Sequence, residues 1–427
     1  MNLDDMILVS VDDHVIEPPD MWDGRVPKKY LEHAPKLVRQ ADGTDAWEYF
    51  GLKSSNAGLN AVAGRPPEDY GYDAQALSDM RPGCYDVHER VRDMSANGVL
   101  AGLNFPSWAG FAARQFLRTP DKDLALALLR AYNDWHIEGW CGEYPDRFIP
   151  LGVVPVWDPA LMAEEVRRLS ARGCHAVTFA ENTVPLGLPS LHSDHWDPFW
   201  AACEDEQTVV CMHIGASGVP ATTSEDAPAG VPHSITAVGL IGAAADLVFS
   251  NIFKKFPTFK FALSEGGIGW VPYFLEKIDK HYEYHKAWTG EDFGDKLPSQ
   301  VFQERIITCF IEDSVGIEMR DKIGIDTITW ECDYPHSDST WPTSPEKLFK
   351  DISHIPDEDI NKITHENAMR AFQFNPYPVR PREKCTVGAL RAEAADVYTG
   401  YHHVAKRPKL PPTAAALREN HHPDEAI

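Results

Sequence analysis

The amino-acid sequence predicts an α/β protein folded as a (β/α)8 TIM barrel. Short runs rich in β-branched and aromatic residues alternate along the chain with segments that carry apolar residues at three- and four-residue spacing, a pattern typical of βα units around a parallel sheet. The chain has 427 residues, 43% of them hydrophobic and 24% charged, so it can bury a full core. Because α/β barrels longer than about 250 residues commonly fold as one unit, we expect one barrel with additions.

Eight runs qualify as strands, which is the number that closes such a barrel. Helical patterns lie between them, for example at residues 160–172 and 197–206. The predicted strands are residues 8–14, 99–106, 148–156, 176–181, 209–214, 259–265, 305–311 and 328–333.

Two insertions interrupt the βα repeat. Residues 17–86 are rich in Pro, Gly, Asp and Tyr and separate the first strand from a helix predicted at 87–96. We expect this long insertion to form a lid or a flank. Residues 220–234 follow the fifth strand, on the side where barrel loops line the active face, and we expect them to cover a substrate.

The barrel domain is predicted to span residues 1–375, and residues 376–427 form a C-terminal extension. Its stretches PYPVRPREK and KRPKLPP interrupt regular structure and carry local positive charge on an acidic protein. We interpret the extension as an arm that contacts a neighbouring subunit, either in a homo-oligomer or in a hetero-oligomer with a homologous barrel. The alternative is a disordered tail.

The charge balance excludes some partners. A formal net charge of −24 would repel a nucleic-acid backbone or an anionic membrane, so a small-molecule substrate is expected. The N-terminal residues do not resemble a signal peptide, and no apolar run approaches the roughly 18 residues of a membrane span. A cytoplasmic location is therefore expected. The eight cysteines form no CxxC pair, which favours reduced structural thiols.

Polar residues stand at the ends of several predicted strands, where barrel enzymes place their chemistry. Asp12 and His14 end the first strand, and side chains two residues apart on a strand point the same way. His213 ends the apolar fifth strand, and Asp333 ends the eighth. Each has a structural alternative, because an aspartate can cap a turn and a single histidine is often part of a core. Together they predict a divalent metal at the barrel mouth.

Glu265 ends the sixth strand and is followed by Gly266 and Gly267, which allow a ligand to approach the backbone closely. We predict that Glu265 is catalytic or ligates a second metal. Mixed carboxylate and imidazole ligands favour Zn, Mn or Fe over Ca or Mg. One metal site is predicted, and a second depends on Glu265.

Four further residues are weaker candidates. Glu17 follows the first strand and either completes a DxHxxE ligand set or faces solvent. Asp333 is predicted to be catalytic as well as a ligand. His336 lies three residues after it and is also a catalytic candidate, which either contacts substrate or orients a ligand through its ring N–H. Arg114 and Arg118 could hold a substrate carboxylate, although solvated positions on a helix are the simpler interpretation.

Five segments carry a resemblance to a known family. They are SVDDHVIEPPDMW, CMHIGASG, LSEGGIGWVP, ECDYPHSDSTWP and ITHENAMRAFQF. Together they resemble the amidohydrolase-related family, in the branch that contains aminocarboxymuconate-semialdehyde decarboxylase and γ-resorcylate decarboxylase, over most of residues 7–375. The resemblance implies metal ligands at Asp12, His14, His213 and Asp333, the same residues that the strand ends indicate.

The sequence departs from that family at two positions. The widespread HxH pair of the superfamily is DxH here, similar to the ExH of the decarboxylases. The sixth-strand histidine of the family, often a catalytic base or a metal neighbour, is replaced by Glu265. A carboxylate cannot relay a proton as an imidazole does, but it can bind a second metal or act as a general base with a raised pKa.

Three functions follow from these residues. The first is metal-dependent hydrolysis or decarboxylation of a small carboxylated or cyclic substrate. The second is a non-haem monooxygenase component of the Fe or Mn type, dinuclear if Glu265 binds a second metal, since the resemblance extends to oxygenases. The third is a non-catalytic metal-bound barrel that supports a homologous partner. The number and identity of the bound metals separate them.

Overall fold

The structure is a computed structural model, and it describes residues 1–56, 58–218, 221–404 and 409–416. The strands within these residues are, in chain order, β1 (Val9–Val15), β2 (Lys36–Arg39), β3 (Asp45–Tyr49), β4 (Leu52–Ser55), β5 (Ala101–Pro106), β6 (Phe148–Ile149), β7 (Gly152–Val153), β8 (Ala176–Ala180), β9 (Val209–His213), β10 (Phe261–Ser264), β11 (Ile306–Phe310) and β12 (Ile328–Trp330).

The barrel strands form two parallel sheets, β1-β5-β6 and β7 to β12. Residues 148–153 join the sheets, because β6 pairs with β5 and β7 pairs with β8. On the opposite side, the amide of Asp333 donates to the carbonyl of Asp12 at 2.8 Å, and the amide of His14 donates to the carbonyl of Tyr334 at 2.7 Å. Strands β6 and β7 both lie within the third predicted strand, residues 148–156. When they are counted as one strand, the eight predicted strands occur in the predicted order.

The sequence of the barrel strands explains their burial. Strands β8 (AVTFA), β9 (VVCMH) and β11 (IITCF) are buried along their whole length. Parallel strands covered by helices on one face and a packed barrel interior on the other need near-continuous apolar runs. An ionisable residue in such a strand is costly unless it has a partner, so His213 at the end of β9 marks a functional position.

Helices connect the strands and cover the barrel. Those predicted at 87–96, 160–172 and 197–206 correspond to α1, α4 and α5. The α-helices in the described residues are α1 (Val87–Asn97), α2 (Arg114–Arg118), α3 (Lys122–Asp134), α4 (Pro159–Ser170), α5 (Asp197–Glu206), α6 (Gly230–Ser234), α7 (Ala237–Phe249), α8 (Ile252–Lys255), α9 (Val271–Thr289), α10 (Pro298–Arg305), α11 (Ser314–Glu318), α12 (Arg320–Ile323), α13 (Ser344–Ile352), α14 (Asp357–Asn361), α15 (Asn367–Ala371) and α16 (Val387–Glu393).

The insertion after β1 contains regular structure that the sequence pattern did not predict. Strands β2, β3 and β4 form an antiparallel sheet, joined by short turns and 3-10 segments to the start of α1. Both outer strands are largely exposed, whereas β3 is mostly buried. The second insertion contains α6 and lies against the barrel mouth.

Part of the C-terminal extension packs on its own chain. Cys385, Val387 and Leu390 are buried, and the amide of Val387 donates to the carbonyl of Met6 at 2.8 Å. Residues 385–390 thus have fixed contacts with the barrel, and a disordered tail stays the alternative to the predicted arm. The domain boundary at 375 and the contact with a neighbouring subunit stay predictions.

The structure also bears on the predictions about the cysteines and about membrane-spanning segments. All eight cysteines are buried and unpaired, as expected for reduced thiols. Among the residues that the structure describes, no helix is both long enough and apolar enough to cross a membrane.

Candidate metal centre

The four predicted ligands converge at the carboxyl ends of the barrel strands. His14 Nε2 lies 3.4 Å from Asp12 Oδ1 and 3.2 Å from Asp333 Oδ1. His213 Nε2 lies 3.4 Å from Asp12 Oδ2. All four side chains are at most 2% exposed. Strands β1, β9 and β12 thus bring together two imidazoles and two carboxylates that are far apart in the sequence.

These residues form two overlapping sets of potential metal ligands. One atom each of Asp12, His14 and His213 lie within 4.8 Å of one another, and the same holds for His14, Asp333 and His336. His14 belongs to both sets. One cation among the four predicted ligands, or two cations that share His14, are both compatible with this grouping.

The polar atoms of the cluster fit a bound cation. Both carboxylate oxygens of Asp12 and of Asp333, both ring nitrogens of His14 and Nε2 of His213 are buried without a hydrogen-bond partner in the described part of the chain. Buried polar atoms are normally satisfied, since leaving one unpaired costs about 1–3 kcal/mol. A divalent ion would satisfy several of these atoms at once.

The imidazole of His213 is oriented for ligation through Nε2. Its Nδ1 lies 2.7 Å from the carbonyl oxygen of Ile214. A carbonyl can only accept a hydrogen bond, so Nδ1 carries the proton and the Nε2 lone pair faces the cluster.

Burial favours the neutral forms of the cluster residues when no cation is bound. Burial, and then the neighbouring Asp13, raises the pKa of Asp12. Burial, followed by Glu265 and Asp12, raises the pKa of Asp333. Burial lowers the pKa of His14, which keeps this ring neutral and able to ligate. A metal would reverse the carboxylate shifts, because its charge favours the ionised form.

Two site residues hold an unusual backbone conformation. Asp333 has φ of 58° and Glu265 has φ of 62°, in the left-handed region that non-glycine residues seldom occupy. The amide of Asp333 bonds to β1, and the amide of Glu265 donates to Oε2 of Glu331 at 3.2 Å. Such local strain is typical of functional sites, where the surrounding contacts enforce it.

Glu265 lies beside the metal cluster. Its Oε2 is 3.3 Å from Nε2 of His213, and its side chain is 15% exposed. Burial raises the pKa of Glu265 to about 8, while His213 lowers it and Asp12 raises it further. The carboxyl group thus borders the predicted ligand His213 and favours its protonated form in the metal-free protein.

His336 contacts two members of the cluster. Its Nδ1 is 3.3 Å from Oδ1 of Asp333, and its ring stacks on that of His14 with centroids 3.6 Å apart. This position suits the predicted role of orienting Asp333, and it also suits ligation of a second metal.

Glu17 lies elsewhere. Its carboxylate accepts hydrogen bonds from the backbone amides of Ser107, Trp108 and Ala109, at 3.0, 2.8 and 3.4 Å. The structure therefore uses Glu17 to fix the loop after β5 and does not bring it into the ligand cluster. The sequence alone could not indicate this role, because the partner loop is about 90 residues away in the chain.

Sequence reasoning missed two acidic residues that support the site. Glu181, at the end of β8, accepts from the amide and the hydroxyl of Ser217 at 2.8 and 2.6 Å and fixes the loop after β9. Glu331 holds the backbone of Glu265. Both stand at strand ends, so the rule that selected Asp333 could have identified them.

Asp13 was also missed. It faces away from the ligands and accepts hydrogen bonds from the amide of Tyr334 at 3.0 Å and from the hydroxyl of Ser10 at 3.1 Å. A Cβ at Gly102 would lie 2.2 Å from Oδ2 of Asp13, so the glycine in β5 makes room for this carboxylate. Asp13 thus joins β1 to the segment after β12.

The cluster opens into a cavity of about 240 Å³. The ring of Phe111 stacks on His213, with centroids 4.0 Å apart and planes inclined by 25°. Arg114 and Arg118, one turn apart on α2, both line this cavity, as do Trp108 and Glu265. Arg118 is exposed, so its solvated position agrees with the simpler interpretation, and substrate binding by the two arginines stays a prediction.

A sequence model described as "Amidohydrolase" matches residues 37–374. The chain belongs to the amidohydrolase family. The matched residues include His213, Glu265 and Asp333 and begin after β1, so the first-strand ligands rest on the geometry described above.

Similar proteins align over nearly their whole length, whereas part of this chain lies outside each alignment. It is 24% identical over 352 residues to γ-resorcylate decarboxylase of Rhodococcus jostii (strain RHA1), covering 77% of this chain and 97% of the relative. A crystal structure of an amidohydrolase from Mycobacterium avium subsp. paratuberculosis K-10 superposes with a TM-score of 0.65 at 19% identity, covering 86% of this chain and 99% of the other.

A third likeness includes a metal. The crystal structure of 5-carboxyvanillate decarboxylase from Novosphingobium aromaticivorans, complexed with manganese and 4-hydroxy-3-methoxy-5-nitrobenzoic acid, superposes with a TM-score of 0.60 at 18% identity. The alignment covers 87% of this chain and 99% of that protein. At this identity the likeness shows the fold.

Proposed function

We propose that the protein is a metal-dependent decarboxylase of small aromatic carboxylic acids. The observation that carries the proposal is the convergence of Asp12, His14, His213 and Asp333, with unpartnered buried ligand atoms, at the floor of one cavity. The relatives named as decarboxylases support this reaction over hydrolysis.

A divalent cation in this site would polarise the oxygens of a substrate carboxylate and neutralise their charge. The mixed oxygen and nitrogen ligands suit Mn, Fe or Zn. Manganese in the related decarboxylase structure supports Mn as the first ion to test.

The residues of the chain bind and orient the substrate. The face of Phe111, held against His213, offers an apolar surface for an aromatic ring. Arg114 and Arg118 supply positive charge to the same cavity, and a guanidinium can hold a carboxylate through two parallel hydrogen bonds. The ring would thus lie close to the ligand cluster.

Decarboxylation also needs a proton donor. When the bond to the carboxylate carbon breaks, its electron pair stays on the ring carbon, which must then receive a proton as CO2 leaves. Glu265 borders the cavity, lies outside both sets of potential ligands and has a raised pKa. We therefore assign proton donation to Glu265 and the orientation of Asp333 to His336.

The test is CO2 release from a panel of hydroxybenzoates, including 2,6-dihydroxybenzoate, by protein loaded with Mn. Turnover that is absent in Asp333→Ala and in metal-free protein supports the proposal. A protein with one Mn per chain that neither binds nor decarboxylates any member of the panel would contradict it, and would favour the non-catalytic barrel.

One observation favours the oxygenase as a second candidate. The two ligand sets share His14, and Glu265 stands where its carboxylate could bind a second ion. If the protein binds two redox metals per chain and consumes oxygen in a substrate-dependent manner, the oxygenase function is favoured over the decarboxylase function.

A further inference from the structure

The last described residues of the C-terminal extension run alongside the second insertion. Three backbone hydrogen bonds and one antiparallel bridge join residues 409–416 to residues 225–229. They are Ala229 N to Pro412 O at 2.9 Å, Ala414 N to Ala227 O at 3.0 Å, Ala415 N to Glu225 O at 3.0 Å, and the bridge between Pro228 and Thr413.

This contact is closely packed. Ala227, Ala414 and Ala416 are 5%, 1% and 4% exposed. The hydrogen bonds and the burial together indicate a fixed contact between the two segments.

The other end of the same segment is bound to the first insertion. The ammonium of Lys409 donates to the carbonyl of Tyr70 at 3.0 Å, and the amide of Leu410 donates to Oδ1 of Asp73 at 2.6 Å. Residues 409–416 therefore tie together two insertions that start from different barrel strands. We call these residues the strap.

The two insertions meet at the cavity through one pair of side chains. The hydroxyl of Tyr72 lies 2.9 Å from Nε2 of His233, and the two rings are nearly parallel at 9°. Both residues line the cavity of the metal cluster. Asp73, which the strap binds, is next to Tyr72, and the amide of His233 donates to the carbonyl of the strap-bound Ala229.

We propose that the strap holds the outer wall of the metal cavity in place, and that the Tyr72–His233 pair at this wall determines which substrates reach the metal. The chemical class of those substrates rests on the proposed decarboxylase function. The role of the strap in holding the wall does not depend on that function. The family match ends at residue 374, so the strap is an addition to the part of the chain that the family model covers.

The wall is tested by replacing Ala414 with Asp, which places a charge in a contact that has no room for it. The matched control is Val379→Asp, which adds the same charge to the same extension at a residue that is 64% exposed. Each full-length protein is loaded with Mn and mixed with EDTA. We expect Ala414→Asp to speed Mn removal at least about tenfold, because the strap bonds to the wall are lost together, and Val379→Asp to behave as the wild type.

A milder variant keeps the proposal testable where Ala414→Asp fails to fold. Tyr72→Phe removes the hydroxyl that holds His233 and leaves the strap intact. We expect it to raise KM for 2,6-dihydroxybenzoate and to change the ratio of kcat/KM between this acid and bulkier hydroxybenzoates, with little effect on kcat. Unchanged KM and unchanged ratios would overturn the specificity role.

The outcomes also separate this inference from the proposed function. The rate of Mn removal measures how firmly the wall closes the cavity and needs no turnover. Faster removal from Ala414→Asp, with no CO2 release from any variant, therefore supports the proposed role of the strap and contradicts the proposed decarboxylase function. Equal rates of Mn removal from folded Ala414→Asp and wild type would overturn the strap, whatever the activity.

Discussion

Asp333 illustrates how one residue serves function at the expense of stability. Its buried carboxylate has no hydrogen-bond partner in the described residues and lies close to the other acids of the cluster. Without a cation, burial and the neighbouring acids Glu265 and Asp12 make Asp333 keep its proton, whereas a cation favours the ionised carboxylates and makes them ligands. Active sites commonly retain such unfavourable groups because the chemistry needs them.

We predict that Asp333→Asn lowers Mn affinity at least about tenfold, since a charged ligand is lost. The metal-free variant should melt at a higher temperature than the metal-free wild type, because the amide is neutral without taking up a proton, whereas the buried Asp333 must hold one against its ordinary pKa. Metal analysis and thermal denaturation with and without Mn measure both effects. Normal Mn content in a folded variant would show that Asp333 is not a ligand.

For Glu265 we predict that the change to Gln leaves Mn content unchanged and lowers kcat about 10²-fold or more, as expected for a lost general acid. The acid acts in its protonated form, so wild-type activity should fall as the pH rises through the pKa of Glu265. This alkaline loss should be absent from the pH profile of Glu265→Gln. A fall from two metals to one would instead assign Glu265 as a bridging ligand.

At the scale of elements, the loop after β5 depends on Glu17. Three backbone amides share its carboxylate, and the loop continues to Phe111, which stacks on His213. We predict that Glu17→Gln lowers the free energy of unfolding by about 1–3 kcal/mol, the cost of leaving buried donors unpaired, without lowering the Mn content. Chemical denaturation and metal analysis measure these effects. A loss of Mn with unchanged stability would restore the ligand role.

Most barrel strands could be predicted because they are short, largely apolar runs, and several of them are followed by a polar residue. Strands β2 and β4 could not, since they are largely exposed and show no alternation of apolar and polar residues. The metal ligands were found for a related reason. A buried strand tolerates an acid or a histidine at its end only where a partner compensates it, whereas Glu17 lies in a loop and its partners are fixed only by the fold.

At the scale of the whole molecule, the additions to the barrel surround its mouth. The two alignments include 97% and 99% of the relatives' lengths but only 77% and 86% of this chain. The C-terminal extension follows the residues that match the family, and its strap crosses both insertions beside the cavity. No local sequence pattern could predict this path, because it depends on contacts between segments more than 300 residues apart.

The buried acids make the stability of the whole molecule depend on pH and metal together. Burial raises the pKa of Glu265 and of Glu331 to about 8, and those of Asp13 and Glu17 to about 7. The ordinary values are 4.5 for glutamate and 3.8 for aspartate, so above them the unfolded chain has released protons that the native state retains. The stability that these protons provide is lost progressively as the pH rises above the ordinary values, and the loss ends once the pH passes the native pKa values of about 7 to 8.

We therefore predict that metal-free protein melts at a lower temperature at about pH 8.5 than at about pH 7, with each acid contributing up to about 1.4 kcal/mol per pH unit while the native state keeps its proton. Buried His14 acts in the opposite direction, but mainly below its ordinary pKa of 6.5. Saturating Mn should raise the melting temperature more at the higher pH, because cation binding favours the ionised carboxylates and releases their protons. Thermal denaturation in EDTA and in Mn at both pH values measures this, and Glu265→Gln should show a smaller loss without metal. A metal-free protein that is equally stable at both values would mean that a group other than a divalent cation compensates these acids.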